Sequence, residues 1–368
     1  AAFSNEWTEA TNSITLVNHA SVLAYFSPDK TNYTITVSPM GAGTINGLDE
    51  PFQLTVLQGA IAPALSAVAS SGHVFSGWGG DVSESANPLI ISNVTADMTV
   101  YGFFWETQEA WSNHADTSWW QAGVTNFTLA TAQQLAGLAQ LVNSGTDAFS
   151  NKVVMLGANV DLSGKEWTAI GTPVHPYAGS FNGQGRVIDG LTIRKTESDD
   201  YQGLFGAASA AGSVVFENIH LTNTFIVAGG FVGGIAGQAQ SEAGSILVRH
   251  CSNDGSVWGG GGLVGGIVGE LATGESGGGV SVSNCQNRAA INGGADTGGL
   301  VGRILAQGDA KVANASNEGA LTAAGNEVGG VIGAAMSISG SASVDNCENS
   351  APVTADADEV GGVVGKTG

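Results

Sequence analysis

Along most of this chain apolar and polar residues alternate over stretches of about four to six positions, and Gly, Asn or Ser cuts each stretch short. Val280-Ser281-Val282-Ser283 shows the pattern at its simplest. A period of two predicts half-buried strands. One stretch departs from it. Leu135, Leu138, Leu141 and Val142 recur at helical spacing behind a capping box of Thr131 and Gln134, which predicts a single amphipathic helix.

The strand pattern is itself repeated. Gly-Gly-apolar-apolar-Gly occurs at Gly233–Gly237, Gly265–Gly269, Gly298–Gly302, Gly329–Gly333 and Gly361–Gly365, in steps of 32, 33, 31 and 32 residues, with a looser copy at Gln202–Gly206. Between the blocks further columns align: Val248, Val282, Val312, Val344; then Cys251, Cys285, Ala315, Cys347; then Asn253, Asn287, Asn317, Asn349; then Val257, Ile291, Leu321, Val353. Each repeat thus holds three short β-type segments. Such segments cannot bury both faces alone, but they stack coil on coil, so the expected architecture is a solenoid of parallel strands. Glycine at this density disfavours helical repeats, at about 1 kcal/mol each.

The Asn column predicts a structural ladder of turn residues whose amides bond from coil to coil; a binding row is the competing reading. The Cys column contains an Ala, as an inward site for a small apolar side chain allows. Stacking distance permits a disulfide between adjacent coils, although parallel side-chain directions oppose it. His220 and His250 are expected to stack just ahead of Asn284, Asn314 and Asn346, two imidazoles with no third ligand for a metal.

A different pattern occupies the first hundred residues. Tyr33–Val37, Gly41–Ile45, Ala67–Ala69, Gly72–Trp78, Leu89–Ile91 and Met98–Phe104 are strands separated by turn residues. Phe3-Ser4 with Trp7, and Val22–Phe26, repeat the later Phe75-Ser76 with Trp78 and Val100–Phe104. The expected division is 1–27 as the tail of a preceding module, 28–105 as a complete one, 106–128 as a Trp-rich linker and 129–368 as the solenoid. The unfinished Gly361–Gly365 coil suggests a piece of a longer tandem-repeat protein.

Composition narrows the function. The chain has 56 Gly among 368 residues, 11 basic against 32 acidic residues and a net charge of −21, which repels nucleic acid and anionic lipid. No apolar run approaches the ~20 residues of a membrane helix, so no membrane insertion is expected within this segment.

The Gly-Gly-Leu-Val-Gly blocks resemble the GLUG motif of bacterial surface proteins. The stretch from Phe127 to Phe205 resembles the entry region of such proteins. It comprises the helix at Thr131, Val160–Ser163, Trp167–Gly171, Phe181–Gly185, Ile188–Ile193 and Gly203–Gly206. The resemblance implies a mainly β chain, a right-handed parallel β-helix with an N-terminal helical cap. Phe75-Ser-Gly-Trp78 followed by Val100–Phe104 resembles the internalin-type B-repeat, implying a small β-grasp-like repeat module before it. Together they imply a secreted or cell-surface bacterial protein of adhesin type, with a host surface or an extracellular glycan or protein as partner. GLUG repeats also occur beside immunoglobulin A peptidases, but none of the six His opens a His-Glu-x-x-His motif here, so that chemistry does not carry over.

The candidate chemistry is sparse. Trp111, Trp119 and Trp120 are candidate glycan-stacking residues, with packing between modules as the competing use of Trp105, these indoles and Trp258. The dense polar stretch Arg186, Asp189, Arg194, Lys195, Asp199 and Asp200 is the one candidate for catalysis in a glycan-active β-helix enzyme, either lyase or hydrolase; solvated turns are the alternative. Asp356, Asp358 and Glu359 form an acidic turn with no strict calcium spacing. No catalytic residue, metal or cofactor is therefore predicted, and binding is expected rather than turnover. A converging carboxylate pair in a groove would argue for the enzyme, and regular polar turns for the presenting surface.

Overall fold

The computed structural model describes residues 31–367, apart from 83, 197–198, 277 and 356–358. The 1–27 stretch and most of the acidic turn, Asp356 and Asp358, therefore lie outside the described residues. The chain is mainly β, and its larger part is a parallel β-solenoid of about 6 turns.

The solenoid's cohesion comes from like residues stacking in register. Val248, Val282, Val312 and Val344 are successive partners in one parallel ladder, and Val257, Ile291, Leu321 and Val353 in another. The first three residues of each row are buried and the fourth is half-buried. Each fully buried member contributes about 1.5–3 kcal/mol of apolar transfer.

The repeat holds more and shorter strands than the three the alternation suggests. One coil comprises Val264–Gly265, Val268–Thr273, Val280–Ser283, Gln286–Asn287 and Ala290–Gly293. The first Gly of each block and the residue before it are extended and ladder-paired, Val264 to Thr297 and Gly265 to Gly298. The block then turns a corner where no side chain fits. A Cβ on Gly299 would lie 2.1 Å from the Gly330 carbonyl oxygen and 2.4 Å from Asn317 Cγ; one on Gly266 would lie 2.3 Å from Asn287. The second Gly of the first four motifs, Gly234, Gly266, Gly299 and Gly330, thus makes room for the Asn column, which is why the two columns recur together.

That column is a ladder over three coils. Asn287 Nδ2 donates to Asn317 Oδ1 at 2.9 Å, and Asn317 Nδ2 to Asn349 Oδ1 at 2.9 Å. Each amide also bonds the backbone two residues on. Asn253 stands apart, donating to the Gly266 carbonyl at 2.8 Å while its Oδ1 has no partner. The preceding coil presents Leu221 at this position and bulges by one residue directly after it.

A second corner column carries left-handed backbone at Asn218, His250, Asn284, Asn314 and Asn346, with φ between 51° and 54°. His250 replaces an Asn there, whereas His220 pairs with Ser252 and approaches its hydroxyl at 2.9 Å. The two histidines therefore occupy different columns, not the single stack expected. Cys251, Cys285 and Cys347 are free.

The first coils are filled differently. Phe149 and Tyr177 (6.2 Å between centroids), Tyr177 and Phe205 (4.9 Å) and Phe205 and Phe216 (4.8 Å) form a file of rings through the core. The helix Ala132–Asn143 connects the two paired strands that end one ladder, Asn126–Leu129 and Val153–Leu156. The Gln134 amide donates to Thr131 Oγ1 at 3.2 Å, and Gln134 Oε1 accepts from the Ala130 amide at 2.8 Å. Leu135, Leu138, Leu141 and Val142 join the solenoid core.

Before the solenoid, a four-stranded sheet runs in the order Phe52–Leu57, Asn32–Gly41, Met98–Glu106, His73–Gly80, with its central pair parallel. Ile35, Val37, Trp78, Val100 and Phe104 fill its own core. No helix covers this sheet among the described residues.

Candidate functional site

The three tryptophans singled out as ligand residues have separate surroundings. Trp111 opens a short 3-10 helix, is 8% exposed and donates its indole N–H to the Leu162 carbonyl at 2.8 Å. With Trp167, Ala136, Ala139, Gln140 and Asn143 it lines a cleft of about 330 Å³. Trp119 packs edge-on against Phe127 at 5.2 Å, and its indole nitrogen is buried without a partner. Trp120 donates to Asp147 Oδ2 at 2.8 Å, beside Lys152. Burial works to raise the Asp147 pKa, but bonds from Lys152, Trp120 and the Phe149 amide bring it below the usual range. Trp119 and Trp120 thus brace the entry coils.

The cleft is floored by apolar atoms and rimmed by polar ones. Trp167, the second indole, is 1% exposed and donates to the Leu204 carbonyl at 3.1 Å. Asn143 is already committed, donating to the Ala169 carbonyl and accepting from the Gly171 amide. Gln140 and Ser112 remain exposed at the rim. A volume near 330 Å³ suits one small ring or side chain. Its lining includes no Asp or Glu.

The polar stretch considered for catalysis disperses into structural contacts. Asp189 accepts from Thr222 Oγ1 at 2.6 Å and Asn223 Nδ2 at 2.7 Å, tying one coil to the next. Asp200 accepts from the Gly230 amide, and Asp199 from Thr196. Arg194 pairs with Glu166 at 3.4 Å and lies over the rings of Trp105 and Phe225, at 6.0 and 5.8 Å from their centroids. Burial pushes the Glu166 carboxyl above its ordinary range despite that arginine.

Arg194 belongs to an aromatic junction. Tyr101, Phe103 and Trp105 alternate along Met98–Glu106 and so share one face of that strand. On the solenoid flank Trp258 meets Tyr101 at 5.0 Å and Phe103 at 5.6 Å, while Phe225 meets Trp105 at 5.7 Å. Sequence reasoning named Trp105 and Trp258 but not their partners. The period-two aromatics of the strand were the available signal. Among the described residues no cluster of three or more His, Cys, Asp or Glu is placed to hold a metal ion, and Glu359 of the acidic turn pairs with Lys366 at 3.3 Å.

No family model and no curated protein matches this sequence. A crystal structure of a putative immunoglobulin A1 protease from Bacteroides ovatus is similar over 62% of this chain and 76% of its own, with a TM-score of 0.46 at 21% sequence identity.

Proposed function

We propose that this chain is a segment of a bacterial secreted or cell-surface protein of adhesin type, in which a B-repeat-like spacer carries a GLUG-type β-solenoid as a binding and presenting surface. The observation that carries the reading is the junction. Three aromatic residues of the module's sheet and Arg194, Phe225 and Trp258 of the solenoid flank interlock, so the spacer is packed onto the blade it carries. Aromatic pairs of this geometry contribute about 0.5–1.5 kcal/mol each beyond their buried area. An acidic surface, regular polar turns and a small amphipathic cleft at the first coils suit retention of an extracellular glycan or protein rather than its cleavage.

The test is a retention assay on immobilised bacterial, plant and host glycans and extracellular matrix proteins, with soluble products analysed in parallel. Retention without cleavage is expected, weakened at least tenfold by Gln140→Trp, which fills the mouth of the cleft from an exposed helix position. Release of unsaturated or reducing sugar ends that is lost in Asp189→Asn would replace this reading by the glycan-active enzyme.

A further inference from the structure

One oxygen of Asp296 is buried without a donor. The residue is 8% exposed and sits at a left-handed corner, φ 49°, directly before the paired strand Thr297–Gly298. Its Oδ2 receives a long 3.3 Å bond from Arg303, whereas Oδ1 is shut off from solvent with no hydrogen-bond partner. In the next coil Glu327 occupies the same corner, φ 64°, because Thr297 pairs with Val328. The two carboxyl groups meet there. Two ionised carboxylates in this position would set a desolvated lone pair against a second negative charge. A single proton converts that repulsion into a hydrogen bond.

We propose that Asp296 and Glu327 share one proton and form a pH-responsive clasp between successive coils of the solenoid. The surrounding charges decide which carboxyl holds it. Arg303 is engaged mainly by Glu270, at 2.6 and 3.0 Å, and the second oxygen of Glu270 takes Gln238 at 2.7 Å. Lys366 bonds Glu327 at 2.5 Å and Glu359 at 3.3 Å. Among the described residues, then, four carboxyls (Glu270, Asp296, Glu327, Glu359) face two cations (Arg303, Lys366). Lysine holds Glu327 ionised, and the more buried Asp296 keeps the proton.

The titration follows from that placement. Burial, and then the contact with Glu327, push Asp296 up to about 7. The bond from Asp296 and the one from Lys366 hold Glu327 below its ordinary range. A carboxyl whose pKa is raised by folding gives stability that is present in acid and lost as the pH climbs through the folded value. Lowered Glu327 has the opposite sign and loses its contribution in stronger acid. The clasp's contribution is therefore greatest in mild acid where Glu327 is still ionised, declines as the pH climbs toward about 7, and is gone above it. Backbone bonds flank it: Val264 N–H to the Asp296 carbonyl at 3.2 Å, Asp296 N–H to the Asn326 carbonyl at 3.0 Å and Val328 N–H to the Glu359 carbonyl at 2.9 Å.

The experiment is a carboxyl carbon NMR titration of the whole chain from pH 4 to 9, paired with thermal melts at pH 6 and 8.5 for wild type, Asp296→Asn and Glu327→Gln. Asp296 should titrate near neutrality in wild type, and at least one pH unit lower in Glu327→Gln, where no second negative charge faces it. Wild type should melt about 3 °C lower at pH 8.5 than at pH 6, and Asp296→Asn, whose side chain tolerates the left-handed corner, should erase most of that difference. Titration of wild-type Asp296 in the ordinary carboxylate range overturns the proposal, and that measurement requires no variant to fold. An unchanged pH dependence in Asp296→Asn would overturn it as well.

Discussion

The coils up to Phe216 and the coils after Val232 build the same stacked ladders around different fillings. In the first set, Phe149, Tyr177, Phe181, Phe205 and Phe216 are all fully buried. In the second, the equivalent space holds Val, Ile, Leu and Ala, and the corners are Gly against Asn. Each ring brings about 150–250 Å² of buried surface, so the early coils cohere through what fills them. The later coils cohere through close backbone approach, because a Cβ at Gly299 or Gly266 would overlap the next coil. Large rings suit coils of uneven length; identical small residues suit coils of nearly constant length, each meeting its own copy.

Truncating the filling should therefore separate the two sets. Phe205 touches Tyr177, Phe181 and Phe216 and is 0% exposed. Phe205→Ala should cost about 3–5 kcal/mol in chemical denaturation, with the loss concentrated in hydrogen-exchange protection of the first coils. Val282→Ala, at an equally buried site of the regular ladder, should cost about 2 kcal/mol, since two methyl groups are removed and the cavity is small. Equal losses in both variants would erase the distinction.

The same contrast decides what the sequence reveals. Where residues meet copies of themselves, the contact is written as a period: the Val rows, the Asn column and the Gly corners are all legible as fixed spacings along the chain. Strand boundaries were less legible. The first Gly of each pair, with the residue before it, is extended and paired, a use that composition hides, so three segments per repeat became five. Contacts between unlike elements leave no period at all. Trp105 with Phe225, and Tyr101 with Trp258, join residues more than a hundred positions apart, and Trp167 reaches the Trp111 cleft through the packing of the first coils. The carboxyl pair was hidden differently. Its corner column runs Tyr201, Phe231, Leu263, Asp296, Glu327, a chemically mixed set that shares backbone conformation but no residue type.

Within the regular coils the Asn column offers a graded test. Asn317 accepts from Asn287 and donates to Asn349 and the Gly319 carbonyl, and it is 0% exposed. Asn317→Ala breaks all of these and leaves the Asn287 amide short of a partner, an expected loss of about 1–3 kcal/mol. Asn253, with one side-chain bond, should lose less on the same change. A melting series of the two variants checks the order. Asn253→Ala as the more damaging change would mean that cohesion at this corner resides in packing against Gly234 rather than in the amide ladder.

The smallest expected effect tests how the first coils end. The helix Ala132–Asn143 contributes Leu135, Leu138, Leu141 and Val142 to the core, but its first turn is held by the Thr131 hydroxyl on the Gln134 amide. Thr131→Ala removes that acceptor and should cost about 1 kcal/mol. The core residues lie beyond the first turn, so the damage should stay local. Faster hydrogen exchange is expected at Gln133–Leu135, with the ladders after Val232 unchanged. If exchange instead rises through the Asn287 and Asn317 coils, the two sets do not behave as separable regions: the helix acts as a cap for the whole solenoid, and opening at the aromatic end propagates through the ladders to the glycine end.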